Sequence, residues 1–190
     1  MKRRSSRDPE LTREKLLDAA EAEFNAEGFH ATDTNRIARH AGYAPQTFYR
    51  HYQDKIAIFL AVYERWWKSE SDAIGAIFRT RGPANLGKVA DTMIGFHVKW
   101  RGFRRSLRHL SVEDARVRAA RTKARKTQTA SFKALIPNTR RSDAEIYASL
   151  LVFERLCDAA AEGEFADMGL KRAAPREAVI AALRLALRKT

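Results

Sequence analysis

Apolar residues recur three and four positions apart along almost the whole of this 190-residue chain, and the strict alternation of a half-buried strand never replaces them. That spacing gives each segment one apolar stripe on a helical surface, and the stripes are then the surfaces available for building a core. The chain is therefore expected to be all-α. Nine glycines and five prolines are few enough to read as punctuation between helices.

The first helix is expected after Pro9, with Thr12 as N-cap, Leu16, Leu17, Ala20 and Phe24 on one face, and a stop at Gly28. A short second helix runs from Asp33 to Ala41 and ends at Gly42. Pro45 suits the first turn of a third, because its missing N–H is unpaired there in any case, and that helix makes two turns to Tyr52. Asp54 caps a fourth, running through Trp67 to Phe78. Breaks follow at 81–85, 136–138 and 163–175. Between them Leu86 to Leu110 reads as helical with bends allowed at Gly95 and Gly102. The stretch 113–135 is charged at its start, and two C-terminal helices carry wide stripes around Ile146 to Ala160 and Val179 to Leu187.

Composition adds exclusions. With 45% apolar residues the chain can bury a core. Cys157 is the single cysteine, so neither an intrachain disulfide nor a thiolate metal cluster is available. No apolar segment follows the charged start, and none approaches the roughly 20 residues of a membrane span. A soluble chain in a reducing cytoplasm is expected, without membrane contact. The formal charge of +13 makes a polyanion the first partner to consider. Yet the excess is local: residues 99–141 hold 14 basic and 2 acidic side chains, while residues 1–55 hold 10 and 9.

The most informative constellation is the second and third helices with Gly42 between them. Ala38 allows close crossing, Gly42 permits the positive φ of a tight turn, and Ile37, Ala41, Tyr43 and Phe48 fill the angle. This is helix-turn-helix spacing, in which the start of the second helix enters the major groove of double-stranded DNA. Gln46 and Thr47 stand where they can reach base edges. Tyr49, Arg50, His51 and Lys55 can meet phosphates, the helix starts at Thr32 to Thr34 and at Asp54 to Lys55 favour an anion, and Pro45 joins the DNA-binding candidates at the head of the third helix.

The run G-F-H-A-T-D-T-N-R-I-A-R-H-A-G-Y-A-P-Q-T-F-Y-R-H-Y-Q-D-K, within Thr12 to Leu60, resembles the DNA-binding domain of the TetR family of bacterial transcriptional regulators. The resemblance implies base contacts from Gln46 and Thr47 and phosphate contacts from Tyr49, His51 and Lys55. It also implies a helix-turn-helix domain at 1–55 followed by a helical effector-binding and dimerisation domain at 56–190, with a homodimer through the last two helices. Two positions depart from the family pattern. Asp33 replaces the usual Thr or Ser, and Ala44 replaces the usual Ser, which removes a side-chain cap worth about 0.5–2 kcal/mol.

Remaining signals are weaker. Trp67, Met93, His97, Trp100, Arg101, Tyr147 and Phe153 are the candidate lining of an effector pocket, although His97 reads more readily as a satisfied core histidine than as a ligand contact. The five histidines show no metal spacing, and neither a catalytic triad nor a phosphate loop is visible, so no enzyme, cofactor or metal is expected. Lys2, Arg3, Arg4 and Arg7 read as a solubilising tail or as a minor-groove arm. Lys99, Arg101, Arg104, Arg105 and Arg108 read as a solvated face, as a field over flanking phosphates, or as a seat for an anionic effector. The function implied is a dimeric repressor on a palindromic operator, released by a small molecule. The alternatives are an effector-independent DNA-binding regulator and an activator.

Overall fold

Helix ends in this protein are set by specific side chains. The computed structural model describes residues 8–81, 85–136 and 139–187, and among these every regular element is helical. In order they are α1 (Pro9–Ala26), α2 (Thr34–His40), α3 (Pro45–Phe48), α4 (Lys55–Arg81), α5 (Leu86–Lys99), α6 (Arg101–Glu113), α7 (Ala115–Ala134), α8 (Asp143–Glu162), α9 (Glu164–Asp167) and α10 (Ala174–Ala186). No helix among the described residues is long and apolar enough to cross a membrane.

The cap of α1 differs from expectation. Asp8 accepts from the Glu10 N–H, while Thr12 is buried inside the first turn with its hydroxyl donating to the Asp8 carbonyl at 3.1 Å. A helix can open before its first proline because that residue needs no N–H partner. Asp33 caps α2 through the Arg36 N–H at 2.7 Å, and Asp54 accepts from the Ala57 N–H at the head of α4. On α8, Ser142 and Glu145 form a reciprocal capping box. The stretch 86–110 is two helices, and the interruption falls at Trp100 rather than at a glycine. The expected breaks at 82–84 and 137–138, and the Lys2, Arg3, Arg4 and Arg7 tail, lie outside the described residues.

The chain forms two units, Met1–Trp66 with Gly102–Glu113, and Trp67–Arg101 with Asp114–Thr190. In the first, Leu16, Phe24, Ile37, Phe48, Phe59 and Phe103 are completely buried. The Phe59 ring meets Phe24 edge-on at 5.2 Å and stacks on Phe103 at 4.6 Å, which brings α6 into the core of the N-terminal helices. The approach is close. A Cβ on Gly102 would overlap the Asn25 carbonyl oxygen, and the Asn25 side chain accepts from the Phe103 N–H. On α1, Glu14, Asp18 and Glu21 surround Arg65 of α4.

Arg104 does not belong to a solvated face. It is 3% exposed, with its guanidinium 5.1 Å from the centre of the Trp66 ring.

In the second unit Ile77, Val89, Ala90, Met93, Phe153, Cys157, Val179 and Leu183 form the core between the later part of α4, α5, α8 and α10. Several basic residues of 99–141 are paired here: Arg121 and Arg125 both with Glu154, and Lys133 with Asp143.

Gly102→Ala should lower the unfolding free energy by about 1–3 kcal/mol, since the new methyl meets rigid backbone. Gly95→Ala, where nothing lies within 4 Å of the added carbon, should raise it by about 0.5–1 kcal/mol. Urea denaturation followed by circular dichroism measures both.

Candidate nucleic-acid interface

The candidate reading surface begins at the turn after α1. Gly28 takes φ +80°, and the Phe29 N–H donates to Ser106 Oγ at 2.9 Å in a buried bond. Lys55, at the first turn of α4, donates to the carbonyl oxygens of Phe29 and Thr32 at 2.8 and 2.7 Å and lies over the Phe29 ring. Its ammonium thus holds the 29–32 turn. Burial pushes its pKa below the ordinary lysine value, and the charge of Asp33 opposes that shift.

Next comes α2, clamped to α1 by the buried carboxylate of Glu23. Arg36 Nε stands 2.5 Å and His40 Nδ1 2.8 Å from its two oxygens. Such a clamp is invisible in local spacing, because Glu23 is 17 residues from His40. Gly42 takes φ +79° with open space around it, so backbone conformation and not crowding requires glycine there. The Tyr43 N–H closes the turn on the Ala38 carbonyl at 2.9 Å.

Helix α3 is shorter than the two turns expected. Its α-helical part is Pro45–Phe48, followed by turns in which the Arg50 and His51 N–H groups donate to Thr47 and Phe48. Ala44 supplies no side-chain cap, as its residue type requires. Phe48 and Tyr52 point inward, which leaves Gln46 and Arg50 exposed one turn apart and Thr47 and His51 half-exposed beside them. Pro45 is half-buried. Tyr49 is 58% exposed, and its hydroxyl meets Thr34 Oγ1 at 2.9 Å, so residues of α2 and the end of α3 share one polar edge. Thr32 stands apart. It is buried, its hydroxyl donating weakly to the Glu23 carbonyl at 3.5 Å.

Residues 16–62 match the family model for bacterial regulatory proteins of the tetR family. Residues 16–62 are a TetR-type DNA-binding domain. Over 48 residues it is 42% identical to an uncharacterized HTH-type transcriptional regulator, YdgC, of Bacillus subtilis (strain 168), a match that spans 25% of this chain and 25% of that relative. Solved structures resemble it over nearly all its length. A TetR-family transcriptional regulator from Rhodococcus sp. superposes with TM-score 0.74 at 14% identity, covering 94% of this chain and 100% of that one. SCO4454, a TetR-family transcriptional regulator from Streptomyces coelicolor, gives 0.73 at 19%, covering 94% and 95%. At such identities the shared property is the fold. The family model and the curated relative YdgC both describe transcriptional regulators.

In the second unit, Trp67, Met93 and Phe153 come together on a cavity of about 430 Å³, with Ile74, Phe78 and Phe132 adding to its apolar wall. The other pocket candidates stand elsewhere. His97 is buried, with Nδ1 2.9 Å from Asp158 Oδ1 and Nε2 3.9 Å from Glu70 Oε1, and of this trio it is Glu70 that lines the cavity. Trp100 is buried away from the lining, Arg101 donates to the Ala161 carbonyl, and Tyr147 is exposed on α8.

Lys55→Met should destabilise the protein by about 1–3 kcal/mol, because two carbonyl oxygens lose a charged donor. Thermal unfolding tests this. A Lys55 that served phosphate alone would leave the midpoint unchanged.

Proposed function

We propose that this chain is a homodimeric cytoplasmic repressor that reads a palindromic operator through residues 45–51 and leaves it when a small molecule enters the C-terminal unit. The observation that carries the reading is the exposed edge made by Gln46, Thr47, Tyr49 and Arg50 directly after the Gly42 turn, inside a TetR-family domain. Gln46 and Thr47 would contact base edges. Tyr49, Arg50, His51 and Thr34 would contact the backbone on either side, and Lys55 and Thr32 would act by holding the preceding turn.

A single recognition helix this short reads few bases, so a two-fold pair on a palindrome is needed for specificity. Exposed apolar residues support pairing through the last long helices: Tyr147, Leu151 and Val152 on α8, and Leu185, 67% exposed, on α10. For release, the cavity lined by α4, α5, α7, α8 and α10 favours an effector-responsive protein over an effector-independent one. Helix α4 contributes Lys55 to one unit and Trp67, Ile74 and Phe78 to that cavity, which makes it the natural lever. Such a ligand must bind the DNA-competent and DNA-incompetent dimers with different affinity.

Selection of bound duplexes from a random pool, followed by a screen for small molecules that release the selected site, tests the reading as a whole. In that assay Gln46→Ala should relax preference at one or two positions by about 1–3 kcal/mol each. Arg50→Ala should weaken all duplexes alike and reduce the salt slope by about one. Leu151→Glu should yield monomers by analytical ultracentrifugation and abolish tight binding while leaving helicity unchanged.

A further inference from the structure

The last turn of α6 meets the turn after α1 in a group of side chains that the operator reading leaves unused. His109 and Glu113 lie four residues apart on one face of α6, and His30 reaches them from the residue after Phe29. His109 Nε2 is 3.1 Å from Glu113 Oε1, and His30 Nε2 is 3.5 Å from Glu113 Oε2. One ligand atom from each residue lies within 4.8 Å of the other two. We propose that His30, His109 and Glu113 form a surface site for a divalent transition-metal ion of the zinc type.

The separations suit the chemistry. Ligands held about 2.0–2.2 Å from a tetrahedral zinc stand roughly 3.3 Å from one another, close to both measured distances. The two distances run to different oxygens of Glu113, and all three donor atoms lie within 4.8 Å of one another, so the donors must draw together to share one ion. Two imidazoles and one carboxylate favour Zn²⁺, Co²⁺ or Ni²⁺ over the all-oxygen ions Mg²⁺ and Ca²⁺. Three protein ligands leave a fourth position for water.

The platform beneath the ligands is already rigid. Phe29, next to His30, donates its buried N–H to Ser106 Oγ, one turn before His109, and its carbonyl accepts from Lys55. At the other end of α6 the backbone of Gly102 rests against Asn25. The imidazoles face each other edge to face with centroids 5.3 Å apart. Ion pairing alone gives little reason for this convergence, since the three side chains are 47–63% exposed and such pairs contribute little to stability. Metal binding would cross-link the turn before α2 to α6 and raise the stability of the N-terminal unit.

Isothermal titration of metal-stripped, full-length protein with ZnCl2 tests the site. One Zn²⁺ per chain is expected in the wild type, lost or weakened more than about tenfold in His30→Ala, His109→Ala and Glu113→Gln. Binding should be retained in His40→Ala and His51→Ala. All five residues are exposed or half-exposed, and circular dichroism verifies that each variant folds. With Co²⁺ as probe, the wild type should show the visible absorption of four-coordinate cobalt and His109→Ala should not. Absence of zinc binding in the wild type, or unchanged affinity and stoichiometry in both His30→Ala and His109→Ala, would overturn the proposal.

Discussion

The N-terminal unit depends on the seating of α6 against the end of α1. Two hydrogen bonds join residues 77 and 78 positions apart, Phe29 to Ser106 and Phe103 to Asn25, and Gly102 makes room for the backbone contact beside them. A domain of one long helix, two short ones and the head of a fourth encloses little apolar surface on its own. Phe103, Leu107 and Leu110 enlarge that core, and the Phe59–Phe103 stack places the addition under α4. With the 28–32 turn fixed from behind by Ser106 and Lys55, α2 starts at a defined place, and the Gly42 turn then sets where α3 stands. The polar edge at 46–50 is the outer end of that chain of constraints.

Charge plays a different part from the one its total suggests. The N-terminal 55 residues are nearly neutral, so placement of particular side chains and not a general field distinguishes the candidate reading edge. Within 99–141, Arg104 lies buried over Trp66, Arg121 and Arg125 converge on Glu154, and Lys133 pairs with Asp143. These pairs fasten α6 and α7 within their own units. Arg118, Lys123 and Lys126 stay exposed along α7.

What was legible in the sequence was local. Helix identity, the Asp54 cap, the positive φ at Gly42 and the uncapped Ala44 all follow from residue type and near-neighbour spacing. So did the TetR resemblance, carried by the run from Gly28 to Lys55. Long-range features were not. Nothing in the periodicity says that α6 packs with α1, that Arg104 turns inward, or that Glu23 gathers Arg36 and His40. Thr12 has a side chain that suits a cap, but Asp8 suits one equally and lies before the proline. Of the seven pocket candidates Trp67, Met93 and Phe153 meet on the cavity, since helical spacing identifies an inward face but not which neighbour it meets. His109 and Glu113 carried a usable signal, their four-residue separation, but His30 is supplied by tertiary structure.

The central claim is that residues 34–51 form the surface that meets DNA. Hydrogen–deuterium exchange of the full-length protein, with and without a duplex selected from a random pool, tests it most directly. The account predicts that added protection is concentrated from Thr34 to His51. Protection centred instead on the exposed basic face of α7, around Arg118 to Lys126, with residues 42–51 unchanged, would contradict it.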